Sequence, residues 1–189
     1  MAKMCGNGAD FALVKQERSR TIVGYELRRL EGSALSEWHE VYFPRKVVDL
    51  PTIEQVRKAV EDDINAQTDA KIVSGFVWTP KAGGDQIPVW LSTENQFNFK
   101  SAYDLAVQKQ GATLPVTFKM GEDSEGNPVY HTFETMEDAD DFYLQAVAFV
   151  NQTLTDGWAR KDALDWEAYE AALEALKPRS FDIKNLNIG

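Results

Sequence analysis

The residues of this 189-residue chain that come closest to a chemical motif are Asp123-Ser124-Glu125-Gly126-Asn127, with Glu134 eleven positions after Asp123. Oxygen ligands at that spacing approximate the loop of a helix–loop–helix calcium site. The sixth position of such a loop needs glycine, and here it is Pro128. The segment also falls between two strand patterns rather than two helices, so a hairpin turn is its expected role.

Other chemistry-bearing side chains are scattered. His39 and His131 each sit in an alternating pattern, far apart in the chain. His131 shares a face with Val129 and Phe133, which predicts a hydrogen-bonded, half-buried ring; no second His or Cys lies nearby to complete a zinc set. Cys5, the single cysteine, cannot form an internal disulfide, which suits a reducing compartment or one where redox chemistry is irrelevant. No serine occupies a nucleophile-elbow context. Gly6-Asn7-Gly8 and Gly83-Gly84 lack the Gly-Lys-Ser/Thr of a phosphate loop. The pairs Asp62-Asp63 and Asp140-Asp141 are neighbours on predicted helices, where side chains diverge by about 100°, so neither makes an acid–base couple. Trp78, Trp90, Trp158 and Trp166 could offer sugar-binding faces, yet each fits a core or interface position. No enzymatic activity, metal or cofactor is expected.

The elements that hold these residues follow from periodicity. With 43% hydrophobic residues, including 10 Phe, 6 Tyr and 5 Trp, the chain can fill a substantial core. Apolar runs are short, so no membrane span is expected, and the N-terminus lacks the apolar stretch of a secretory signal. Residues 1–10 are small and polar and are expected to form an arm, flexible or ordered only by a neighbour. Extended segments follow at 11–15, 21–30 and 37–48, with Val23, Tyr25 and Leu27 on one face of the second. The first 50 residues thus predict a small antiparallel sheet. Thr52 and Gln55 form a capping box for an amphipathic helix with Ile53, Val56, Val60 and Ile64 on one stripe.

Two strand–strand–helix units come next, at 71–111 and 112–157. The first places Ile72, Phe76 and Trp78 opposite Ile87, Val89 and Leu91, then a helix capped by Thr93 and Gln96 and stopped by Gly111. The second sets Leu114, Val116, Phe118 and Met120 opposite Val129, His131 and Phe133, then a Thr135-capped helix ending at Gly157. A last helix at about 165–176 carries Trp166, Tyr169, Leu173 and Leu176 and ends at Pro178. The fold class is therefore α+β, divided as 1–50, 51–177 and an extended tail 178–189. Phe181, Ile183, Leu186 and Ile188 of that tail alternate with polar residues, which predicts docking on its own domain or on another subunit. Together with Phe11 and Trp38 they are the candidate interface residues.

Charge narrows the partners. Residues 1–46 carry eight Lys/Arg against six Asp/Glu, so the remainder of a chain at −10 carries −12. Between Gly121 and Asp141 eight acidic residues meet no Lys or Arg. Such a surface repels phosphate backbones and anionic lipid, and is either a solvated face or a patch for a basic partner.

One resemblance makes this more specific. Gly75-Phe76-Val77-Trp78, a turn, Pro88-Val89-Trp90-Leu91-Ser92, a helix with Phe99, Leu114-Pro115-Val116-Thr117-Phe118, a helix around Phe142 to Asn151 and Asp165-Trp166 succeed one another. Over about residues 59–170 this order resembles an uncharacterised domain family encoded in tail and baseplate regions of phages and prophages of gut bacteria. The resemblance implies a structural virion protein, in a homo-oligomer or with other virion proteins, and no catalytic residue. An assembly chaperone absent from the particle and a carbohydrate-binding module are the alternatives.

Overall fold

The computed structural model describes residues 2–44, 50–81 and 83–177. Its elements run β1 (Ala2–Asn7), β2 (Val14–Gln16), β3 (Arg20–Arg29), β4 (Leu35–Pro44), α1 (Ile53–Ser74), β5 (Phe76–Trp78), β6 (Ile87–Val89), α2 (Thr93–Gln108), β7 (Val116–Glu122), β8 (Pro128–Phe133), α3 (Met136–Asp162) and α4 (Trp166–Leu176). The α+β class is as expected. The chain divides into two compact units, one of Met1–Asp63 with Lys161–Gly189 and one of Ile64–Arg160.

The first unit holds an antiparallel sheet in the order β1-β4-β3-β2. Residues 2–7, expected as an arm, form the edge strand β1 against β4. Small residues permit this: a Cβ at Gly6 would come within 3.3 Å of the Trp38 ring and one at Gly8 within 3.0 Å of the Ser36 hydroxyl, and Lys3 pairs with Glu37 at 2.8 Å. On β3, residues 21–25 are all buried, so both faces are covered there. The predicted alternation fails past Tyr25, where the register shifts and Glu26 takes φ +55°, leaving Leu27 exposed. The Tyr25 hydroxyl donates to Asp63 of α1. The Tyr169 hydroxyl of α4 donates to the Gly24 carbonyl at 3.0 Å, and burial pushes its pKa up.

The Thr52–Gln55 capping box forms reciprocally, with the Thr52 amide donating to Gln55 and the Gln55 amide to Thr52 Oγ1. α1 runs on to Ser74, through residues expected to begin a strand, because only Gly75 can turn out of it. Gly75 has φ +77°, and a Cβ there would lie 1.6 Å from the Val89 carbonyl oxygen.

The second unit contains both hairpins, β5–β6 and β7–β8, with α2 and most of α3. The Trp90 amide donates to the Met120 carbonyl at 2.7 Å, tying the hairpins together. Trp78, Val89, Leu91, Phe99, Met120, Phe133 and Phe142 form the buried cluster beneath. The N-cap of α2 is Ser92, one residue before the expected Thr93; Ser92 Oγ accepts from the Asn95 amide, and Gln96 instead donates to the Leu91 carbonyl. α2 ends at Gln108 with Lys109 as its C-cap, three residues before the expected stop at Gly111; Gln110 at φ +52° and Gly111 at φ +83° then turn the chain away. Gly157 does not end α3. It continues the helix to Asp162, and a Cβ at Gly157 would sit 2.6 Å from Thr68 Oγ1, so the glycine serves close packing against α1.

Candidate functional site

A concentration of ionisable groups lies in the second unit, where β8 and the first turns of α3 face the loop after β5. Trp78 has no exposed surface and is the centre. His131 meets it edge-on at 4.8 Å, Phe142 edge-on at 5.2 Å, and Phe133 stacks at 5.7 Å. Such pairs add about 0.5–1.5 kcal/mol each beyond area burial. An indole N–H buried this way needs an acceptor, and Asp141 on α3 supplies it at 3.1 Å.

Asp141 is itself 7% exposed. Its carboxylate also accepts the Lys81 backbone amide at 3.2 Å and the Gln145 side-chain amide at 3.0 Å, with the Lys81 ammonium at 3.6 Å. Burial pulls its pKa upward, but the hydrogen bonds from Gln145, Trp78 and Lys81 outweigh this and leave it below the usual aspartate range. Its neighbour Asp140 points elsewhere and accepts the Tyr103 hydroxyl at 2.8 Å, as the 100° offset requires. That hydrogen bond, with burial, raises the Tyr103 pKa.

Above this pin lies an acidic cleft of about 600 Å³, lined by Pro80, Lys81, His131, Glu134, Asp138 and Leu144 among others. His131 is half-buried and bonded through Nε2 to Asp138 at 2.8 Å, as its strand pattern predicts. A histidine–carboxylate pair can take a proton from a hydroxyl, a thiol or a bound water within reach. The cleft's hydroxyls are Thr132 and Thr135. Thr132 Oγ1 is hydrogen-bonded to Thr117 at 2.8 Å, and Thr135 accepts the Asp138 amide as the cap of α3. The arrangement braces a hairpin against a helix.

The acidic turn at 123–127 is also braced from within. Asp123 accepts the Glu125 and Asn127 amides and the Asn127 side chain, and hydrogen bonds from Asn127 hold its pKa low. Its oxygens close the β7–β8 hairpin, as expected. No group of three or more His, Cys, Asp or Glu among the described residues could hold a metal ion. No helix among the described residues is long and apolar enough to cross a membrane.

Of the candidate interface residues, the structure brings Phe11 and Trp38 together. Trp38 is 4% exposed, with its indole N–H on Glu40 at 2.9 Å. Phe11 is half-buried and meets Trp38 edge-on at 6.2 Å. Phe181, Ile183, Leu186 and Ile188 lie outside the described residues. Of a set that is outward, sequence reasoning named only Trp158, as fitting a core or interface position. Leu144, Val147 and Trp158 on α3 are 63%, 39% and 56% exposed, and Phe97 on α2 is 69% exposed. The signal for the α3 set was a spacing of three and four beside the inward one.

The family described as a domain of unknown function, DUF4376, matches residues 55–179. The chain belongs to that family. The DUF4376 segment takes in the β-hairpins, α2, α3 and α4, and contains the span 59–170 in which the resemblance was seen. No curated protein and no solved structure matches the chain.

Proposed function

We propose that this DUF4376 protein is a structural component of a tailed-phage particle, in the tail, baseplate or head–tail connection, working in repeated copies beside other virion proteins. One observation carries the reading. The most aromatic part of the chain is closed on itself, with Trp78 fully buried and its one polar atom tied to the buried Asp141, while large apolar side chains such as Phe97, Leu144 and Trp158 face outward. That division puts rigidity inside and contact surface outside. The resemblance to domains encoded in phage tail and baseplate regions supplies the setting. Three of the cleft's acidic groups, Asp138, Asp140 and Asp141, have partners of their own within the unit, which fits bracing better than turnover.

Mass spectrometry of purified particles tests this. The reading expects peptides of the chain in intact particles at the abundance of a repeated subunit, and their absence from complete particles would overturn it. The acidic cleft favours one second reading, an assembly chaperone that holds a basic client segment and then departs. Abundance in infected cells with absence from particles would select it.

A further inference from the structure

We infer that the outward face of α3 is a self-association seam, on which a second copy of this chain lays its own α3 antiparallel. The helix is 27 residues long and buries Ala139, Phe142, Ala146, Thr153 and Gly157. About 120° round from that stripe, at 100° per residue, lies a second one: Leu144, Val147, Asn151, Leu154 and Trp158. Its spacing is three, four, three, four, the a/d repeat of helices that pack along their length. Leu154 is half-buried and the other four are exposed. Two heptads of apolar surface, about 21 Å long, are thus left uncovered.

The pattern itself names the occupant. A two-fold contact requires a patch complementary to itself. Here two apolar residues precede Asn151 and two follow it, so a two-fold axis beside Asn151 sets Leu144 of one copy near Trp158 of the other. The two Asn151 amides meet near the axis, where an isolated polar residue in such a seam fixes register. Charge selects the direction. The seam continues at its N-terminal end into Glu137 and Asp140 and at its C-terminal end into Lys161 and Asp162. Antiparallel pairing sets acid against Lys161, whereas parallel pairing would stack each acid on its own copy. The inference rests on α3 and not on the virion reading; particle proteomics tests that reading separately.

The seam is shorter than an interface of about 800 Å² per partner needs, so micromolar association is expected. Light scattering behind size exclusion, with the full chain at about 100 µM, should therefore give twice the 21.3 kDa chain mass. Leu144→Glu with Trp158→Glu changes only exposed positions and should give a monomer with an unchanged circular-dichroism spectrum. Asn151→Lys, which brings two ammonium groups together at the axis, should do the same. In a Cys5→Ser background, Leu144→Cys should cross-link with Trp158→Cys and not with itself. A wild-type monomer at that concentration, which leaves the face to some other protein, would overturn the inference. So would a dimer that survives both surface variants, or self-linking of Leu144→Cys.

Discussion

Asp141 shows how one carboxylate can hold a hairpin, a loop and a helix together. Three donors converge on it, from Trp78, Lys81 and Gln145, and almost none of it reaches solvent. Asp141→Ala strands the Trp78 indole N–H in the interior and takes the acceptor from the part-buried Lys81 amide. It should cost about 3 kcal/mol in urea unfolding followed by tryptophan fluorescence. The same residue carries a pH dependence of known sign. Its folded-state pKa lies below the ordinary value of about 3.9. The unfolded chain therefore binds more protons near that pH, and stability falls as pH falls. The contribution is complete above about pH 5 and is lost as pH drops through the folded-state pKa. Asp141→Asn should flatten that part of the acid limb, which unfolding midpoints measured between about pH 3 and 6 would reveal.

At the scale of elements, the caps and glycines decide where each helix begins, ends and packs. Ser92, not Thr93, accepts the Asn95 amide. Ser92→Ala should therefore cost about 1 kcal/mol, and Thr93→Ala only a few tenths, in matched thermal unfolding runs. Gly157 lets α1 and α3 close over Thr68. Gly157→Ala should destabilise by about 1–3 kcal/mol. Thr68→Ala in the same chain should recover part of that loss, a coupling that a double-mutant cycle measures.

These elements also mark what the sequence could reveal. The strand pairs of the hairpins, the Thr52–Gln55 box and half-buried His131 were legible, because periodicity and capping are local. Three features were not. The arm at 2–7 became a strand because β4 and Trp38 offered it a place, which small polar residues do not advertise. Gly157 looked like a helix stop, since nothing local distinguishes a terminating glycine from one thinned for packing. The Asp141 pin depends on Trp78, 63 residues away. The cleft was legible only as a run of acidic residues; its division into separately partnered groups came from packing.

At the scale of the whole chain, charge is the feature that reaches farthest. A sequence pI near 4.7 and a net −10 predict no retardation of duplex DNA in gel shifts at about 0.15 M salt. Retardation that salt abolishes would reveal a cationic patch that this account lacks. The same acidity keeps the exposed apolar residues of α2 and α3 from driving indiscriminate association, and so leaves them for specific contacts. The central claim is that this DUF4376 protein acts by shape and contact within a particle. A map of the intact particle, obtained by electron cryomicroscopy, tests it most directly. Such a map should show repeated copies of the chain, with Trp78 enclosed and the outward apolar surface of the second unit against neighbouring subunits. A complete particle without the chain, or copies whose acidic cleft holds a substrate while those apolar surfaces touch nothing, would contradict it.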